Sequence, residues 1–187
     1  FPKAAFPVPE VAAGAKILGN VSQEPEFDGV YRRVGLFGVF DGKAVPSLPL
    51  AARMLAEPDM AAAISGHTLR LGPVAVPLDD AGLCIPRWRR SADFPTVSAA
   101  QVIQSELALR EGGTPTLDPS IFKGRYVLFG FSAPGLLDLR PSPVAGVTSG
   151  VEIHAQALQS LLTGDFLRVV PHWSGWLLAG LFAVAGA

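Results

Sequence analysis

The chain has 187 residues, 49% of them hydrophobic, which is sufficient for one domain with a substantial apolar core and argues against a disordered segment. Fifteen basic and sixteen acidic residues give a formal charge of −1, so no strong basic field is present to attract nucleic acid. A single cysteine, Cys84, excludes an intrachain disulfide.

Turn residues divide the first third of the chain into short elements. Gly14 ends a predicted helix, and Asp41-Gly42 is typical of a two-residue β-turn. Ser47 precedes a proline and an apolar stripe, which together predict the beginning of a helix. The elements expected here are, in order, a helix at 10–13, strands at 16–21 and 30–40, a short strand before Pro46, and the helix after Ser47.

The middle of the chain has a β-like pattern followed by a helical one. Short apolar stretches separated by Gly-Pro and Asp-Asp-Ala-Gly turns predict a small antiparallel meander. Its expected strands are 67–71, 74–78 and 83–88. Ser98 and Gln101 then form a capping box, so we expect a helix that begins there and ends at 112–113.

The later part of the chain predicts a strand, a loop and a helix. Residues 125–131 are an apolar run bounded by glycine, which is typical of a strand buried on both faces of a sheet. Ser149 and Glu152 form a second capping box, and Gly164 is placed to end the helix. His154 shares its apolar face and is expected to point inward. This unit predicts an α/β fold, a mixed sheet with packed helices.

The C-terminal run at 173–187 contains no charged residue. It is shorter than the ~20 apolar residues that span a bilayer, but the two tryptophans near its start are typical of a membrane interface. We therefore expect a folded domain at 1–170 and the start of a transmembrane helix at 171–187. A buried C-terminal helix is the alternative interpretation.

Several segments carry a likeness to a known family. They are GRYVLFGFSAPGLLD at 124–138, Ser-Pro at 142–143, SGVEIHAQALQSLLTGDFLRVVP at 149–171, and FDGVYRR at 27–33. Together they resemble the CHASE type-two domains, which are extracytoplasmic sensory modules of bacterial receptors. The family's domain begins upstream, with a first transmembrane helix and opening strands that precede the part matched here. We therefore expect this chain to be the C-terminal portion of such a domain.

The resemblance implies a non-enzymatic sensor at the cell inner membrane, facing the periplasm or the extracellular side. It implies a homodimer, an unknown small-molecule or protein stimulus, and attachment to the membrane through the C-terminal helix. The output implied is a cytoplasmic adenylate or guanylate cyclase, a histidine kinase or a Ser/Thr kinase. Neither a cofactor nor a nucleic-acid partner is expected.

Ser132, Asp138 and His154 occur in the order of an α/β-hydrolase triad. The nucleophile elbow requires glycine two residues after the serine and a helix directly following it, whereas this chain has Pro134-Gly135 there. The spacing of the three residues is also shorter than that fold provides. These departures make a membrane-anchored periplasmic hydrolase that uses Ser132 an alternative hypothesis and not the leading one. A non-catalytic anchored interaction domain is a second alternative.

Asp138 and His154 are a better pair for ligand binding or signalling. Both are expected at the carboxyl end of the sheet, where α/β folds bind ligands. A carboxylate near the imidazole would raise the pKa of His154 and make the contact sensitive to pH. A structural pair that satisfies the loop backbone is the favoured interpretation.

The remaining candidates are an acid–arginine group and two short motifs. Asp28, Arg32 and Arg33 lie where a loop enters a predicted strand, and adjacent strand residues face opposite sides, so one arginine at most faces a pocket. Glycines at 130–135 offer backbone N–H groups to an anion, although tight turning is the favoured role. The basic cluster at 87–90 could contact an anionic ligand or lipid headgroups, and a solvated strand end is the favoured interpretation. The histidines have no metal-ligand spacing, so no metal is expected.

Overall fold

The computed structural model describes residues 5–132, 138–170, 174–175 and 182–183. Its α-helices are α1 (Pro9–Gly14), α2 (Leu48–Ala56), α3 (Ala99–Arg110) and α4 (Gly150–Thr163). Its strands are β1 (Val34–Gly35), β2 (Phe37–Phe40), β3 (Lys43–Pro46), β4 (Ala62–Ser65), β5 (Thr68–Leu71), β6 (Val74–Pro77), β7 (Leu83–Pro86), β8 (Leu139–Ser142), β9 (Ala145–Ser149) and β10 (Phe166–Leu167). The predicted α/β class is confirmed.

Small antiparallel sheets take the place of one large mixed sheet. The hairpins β2–β3 and β8–β9 and the meander β4–β5–β6 are built from neighbours in sequence. A further sheet has the order β1–β7–β10, in which Val34 lies opposite Cys84 and Phe166 lies opposite Pro86. Parallel pairing is seen at the isolated bridge between Asn20 and Ser47. Strand β7 therefore joins β1, from the first third of the chain, to β10, from the last third.

The helix boundaries follow the local signals in the sequence. Both hydrogen bonds of the capping box at Ser98 and Gln101 are present at the beginning of α3. Helix α4 ends at Gly164, which has φ 73° and is the left-handed residue that closes many helices. The beginning of α4 is as predicted, but its Ser149 makes no side-chain cap bond, and Glu152 instead accepts a hydrogen bond from Ser91 Oγ at 2.7 Å.

Helix α4 supplies the inner face of the core. Its buried apolar side chains pack with residues from α2 and from strands β1, β5, β6 and β7. The core cluster comprises Val34, Leu36, Leu50, Leu69, Leu71, Val76, Cys84, Ile153, Ala157 and Leu161. The buried guanidinium of Arg53 in α2 donates to the carbonyl of Leu161, and so satisfies an oxygen in the last turn of α4. Packing and capping thus fix α2 against α4.

The prediction of a buried strand at 125–131 is wrong. This segment forms no strand, and Val127, Phe129 and Phe131 are all more than half exposed. An apolar run specifies a preference for burial, whereas a strand also needs a neighbour to bond with, and the described residues supply none to this segment. Its contact with α4 is at Gly130, where a Cβ would lie 2.5 Å from the Cβ of Val151.

The other differences also concern strand pairing. Residues 16–21 form no strand, and the stretch predicted at 30–40 becomes β1 and β2, with 30–33 in irregular structure. The predicted meander gains β4 at its beginning and loses β7, which pairs with β1 and β10 instead. The hairpin β8–β9 stands where a loop was predicted. The pairing of β7 depends on partners distant in sequence, which local patterns do not specify, whereas β4–β5 and β8–β9 are local hairpins that were not predicted from the sequence.

Among the residues described, no helix is long and apolar enough to cross a membrane. The transmembrane start predicted at 171–187 lies outside the described residues, apart from the pairs 174–175 and 182–183.

Adjacent leucines in α4 provide a test of this core. Leu161 is fully buried and Leu162 is 38% exposed. We expect Leu161→Ala to lower the free energy of unfolding by about 2–5 kcal/mol, because it leaves a cavity between α2 and α4. Leu162→Ala should cost under about 1 kcal/mol. Urea unfolding followed by circular dichroism measures both, and equal losses would contradict the burial of Leu161.

Candidate functional site

A cleft of about 600 Å³ opens between the end of the β5–β6 hairpin, β7 and the residues that follow β10. This volume is in the range of small-molecule sites. Its walls combine apolar side chains with several charged ones. The lining residues are Arg33, His67, Thr68, Pro77, Leu78, Asp79, Asp80, Leu83, Ile85, Leu167, Arg168 and Val169. One wall, residues 167–169, is the last described stretch before the apolar C-terminal run.

Arg33 is held in the cleft wall by two carboxylates. Its Nη1 lies 2.5 Å from Glu26 Oε1, and its Nε lies 3.2 Å from Asp79 Oδ2. The other oxygen of Asp79 accepts hydrogen bonds from the N–H groups of Ala81 and Leu83, at 3.0 and 2.9 Å. The Asp79 side chain therefore shapes the turn before β7 and anchors Arg33 at the same time.

The charges at the mouth of the cleft are held less tightly. His67 Nδ1 lies 3.7 Å from Asp80 Oδ1, and both side chains are largely exposed. Arg168 also lines the cleft, and no carboxylate of the described residues forms an ion pair with it. The cleft thus combines a fixed guanidinium, a solvated His–Asp pair and an uncompensated guanidinium.

The other members of the predicted acid–arginine group lie outside the cleft. Arg32 contacts Glu26 and Asp28 at 3.1 and 2.8 Å, and the hydrogen bond from Arg32 is the main reason that the pKa of Asp28 is lowered. Of the two arginines, Arg33 lines the cleft and Arg32 does not. The strand argument for expecting one arginine at most to face a pocket is wrong, because residues 30–33 are irregular and both arginines reach Glu26.

The basic cluster at 87–90 fixes the end of α4 and the residues after it. Arg87 Nε lies 2.7 Å from Asp165 Oδ1, and Arg89 Nη2 lies 3.6 Å from Asp165 Oδ2. The indole N–H of Trp88 donates to the carbonyl of Arg32. Arg87 and Arg89 keep substantial solvent exposure, as expected of a solvated strand end, but they also hold Asp165 directly before β10.

His154 points inward as predicted and is 7% exposed. Its pKa is lowered, chiefly because burial disfavours the charged ring, while the Asp138 carboxylate and the backbone of Val21 act in the opposite direction. The Asp138 carboxylate therefore acts in the predicted direction, but the net pKa of His154 is lowered because burial outweighs it. Its Nδ1 is buried and has no hydrogen-bond partner among the described residues.

Asp138 serves the beginning of α4. Its carbonyl accepts a hydrogen bond from the N–H of Gly150 at 2.9 Å, and a Cβ on Gly150 would overlap its carboxylate. A negative charge at this position stabilises the partial positive charge of a helix N-terminus. The Asp138 carboxylate therefore lies at this helix end, close enough to His154 to affect its pKa.

The hydrolase triad is not connected in the part of the chain that the structure describes. No hydrogen bond joins Ser132 to His154, or His154 to Asp138, and Ser132 is exposed at the end of the unpaired segment. The second half of the glycine turn predicted at 130–135, residues 133–135, lies outside the described residues. Among those that are described, no group of three metal-ligating side chains comes together.

Comparison with known proteins identifies the family. A family model of the CHASE2 domain matches residues 3–187, nearly the whole length. The chain therefore belongs to the CHASE2 domain family, which comprises extracytoplasmic sensory domains. Neither the curated proteins nor the solved structures gave a significant match.

Sequence reasoning missed most of the cleft. It found Arg33, but it treated Asp79 and Asp80 as turn residues and did not place Leu167–Val169 at a binding site. One signal was present in the turn that Asp79 begins. An aspartate side chain at the start of a turn commonly accepts a hydrogen bond from the backbone N–H two residues later. The partner of Asp79, Arg33, is too distant in sequence to be inferred from it.

Acidification tests the burial of His154. The pKa of His154 in the folded chain lies below its ordinary value of 6.5, so below that pH the unfolded state binds more protons. We expect the free energy of unfolding to fall from about pH 7.5 to about pH 5.5, and to fall less in a His154→Asn variant.

Urea unfolding at the two pH values measures this difference. His67→Asn is the control, because His67 is 70% exposed in its side chain and the variant should keep the wild-type dependence. An unchanged pH dependence in His154→Asn would contradict the assignment.

Proposed function

We propose that this domain is the sensory input of a transmembrane receptor and couples an extracytoplasmic stimulus to a cytoplasmic cyclase or kinase. Membership of the CHASE2 family supports the sensory role. The observation that carries the coupling is the composition of the cleft, one wall of which is the segment Leu167–Val169. A ligand in the cleft would contact the residues that lead directly into the apolar C-terminal run.

The proposed mechanism is a shift between two arrangements of that segment. A ligand changes such an equilibrium only if it binds one arrangement more tightly than the other. The cleft offers such a difference because the rest of its lining belongs to the β5–β6 hairpin and to β7, which are attached to the core. Movement of 167–169 relative to that wall would change the cleft, and cleft occupancy would restrain the movement.

We propose that the domain itself is not catalytic. The polar residues that line the cleft are arginines, aspartates, one exposed histidine and Thr68, and neither a serine nor a cysteine of the described residues lines it. Cys84 is buried, and burial raises the pKa of its thiol to about 12, which disfavours the nucleophilic thiolate.

Neighbouring valines test the coupling in the full-length receptor. Val169 lines the cleft, whereas Val170 does not, and both are exposed. We expect Val169→Trp to fill part of the cleft and to change the cyclase or kinase output of receptor-containing membranes. Val170→Trp, which adds the same bulk outside the cleft, should leave the output close to wild type. Equal effects of the two variants would count against the cleft as the input site.

A labelling experiment tests the location of the domain. Because Cys84 is buried and its thiol is a poor nucleophile, the wild-type chain should react slowly with a maleimide. Glu111 is exposed at the end of α3, so Glu111→Cys supplies one reactive thiol. We expect a membrane-impermeant maleimide to label this variant in cells with an intact inner membrane. Labelling that requires permeabilised cells would place the domain in the cytoplasm and refute the proposal.

A further inference from the structure

An uncompensated positive charge lies on the wall of the cleft. Arg168 directly follows β10 and lines the cleft beside Leu167 and Val169. In residues 5–132 and 138–170, no acid forms an ion pair with its guanidinium, although Asp165 is only three residues away. Asp165 is engaged by Arg87 and Arg89 instead. Arg168 is therefore available to an external partner.

Two other charged residues of the cleft pair with each other. Arg33 lies between Glu26 and Asp79, and both oxygens of Asp79 are used. Asp80 is fully exposed, and His67 at 3.7 Å compensates its charge only when the ring is protonated. An anionic group on a ligand therefore finds a free cation in Arg168, whereas a cationic group finds in Asp80 a solvent-exposed carboxylate whose attraction is screened by water.

The rest of the cleft wall is predominantly apolar. The apolar lining residues are Pro77, Leu78, Leu83, Ile85, Leu167 and Val169. A ligand that fills the space between them gains from burying an apolar body of its own. Charge and lining together therefore select an amphipathic ligand.

We propose that the cleft binds a small organic anion, a carboxylate on an apolar body. The carboxylate pairs with Arg168, whose planar guanidinium binds both carboxylate oxygens side by side. The apolar body lies against β7 and the turn that precedes it. This inference rests on the proposed role of the cleft and adds the chemical class of its ligand. It also places the charged contact on the segment whose movement would carry the signal.

Paired acids and amides test the charge requirement. Phenylacetate and hexanoate are titrated calorimetrically into the full 187-residue chain in nanodiscs of zwitterionic lipid, alongside phenylacetamide and hexanamide. We expect the acids to bind and the neutral amides to bind at least about tenfold more weakly, because the amides lose the charge-assisted contact. Equal affinities of acid and amide, or no binding of either acid up to its solubility, would overturn the proposal.

Arginine variants test the residue. Arg168→Gln should weaken phenylacetate at least about tenfold, and Arg168→Lys should be intermediate because it keeps the charge without the planar fork. Arg110→Gln is the matched control, since Arg110 pairs with Glu106 on α3, outside the cleft. Wild-type affinity in Arg168→Gln would refute the assignment. Loss of phenylacetate binding in nanodiscs of anionic lipid would assign Arg168 to a lipid headgroup and refute it as well.

The experiments distinguish an error in the proposed ligand class from an error in the proposed signalling role. If Val169→Trp changes receptor output and Val170→Trp does not, but neither acid binds, the ligand class is wrong and the role of the cleft stands. If the acids bind through Arg168 but the two valine variants give the same output, the site binds a carboxylate without controlling the receptor.

Discussion

The fully buried amide of Gln156 in α4 holds the chain after β7 against that helix. Its Oε1 accepts from the N–H of Arg89 at 2.9 Å, and its Nε2 donates to the carbonyl of the same residue at 2.7 Å. One turn later on α4, Ser160 Oγ accepts from the N–H of Arg87 at 3.1 Å. A buried amide left without partners costs about 1–3 kcal/mol, so these bonds fix the chain after β7 against α4. Because β7 pairs with both β1 and β10, the position of α4 sets the position of the cleft.

The segment beyond β10 is attached far less firmly than the helix before it. Strand β10, which leads into it, pairs with β7 over two residues only. Asp165, directly before β10, forms ion pairs with two arginines whose side chains are 52% and 37% exposed. Exposed ion pairs contribute little, typically under about 1 kcal/mol, so local opening of this segment needs much less free energy than disruption of the core. A cleft that is lined by both a firmly held and a weakly held part of the chain is one in which modest differential binding can move the weakly held part.

Local structure was predictable where a signal and its partner are close in sequence. The Asp41-Gly42 turn has positive φ at both residues, and the capping box of α3 and the glycine at the end of α4 are as expected. The sheet β1–β7–β10 was not predictable, because its strands come from three distant parts of the chain. Two-residue strands such as β1 and β10 carry no period of their own, so their pairing is decided by the packing around β7.

The candidate site shows the same limit in its electrostatics. For His154, a neighbouring carboxylate and burial change the pKa in opposite directions, and the sequence indicated both an acid nearby and an inward-pointing ring. Which effect dominates depends on how much water remains around the ring, and that is set by the fold. The lowered pKa shows that burial dominates.

The apolar segment at 125–131 shows why an apolar pattern does not by itself determine that a segment forms a strand. Burial of its side chains would be favourable by about 25 cal/mol for each Å² of apolar surface, which is why the pattern predicts a strand. A strand also needs its N–H and C=O groups bonded, and the described residues offer one such bond, from the N–H of Arg125 to the carbonyl of Phe122. Gly130 shows that the segment does approach α4, because side-chain volume there would collide with Val151. The apolar pattern thus specifies that this segment be covered, while strand formation depends on a partner backbone that no pattern within the segment encodes.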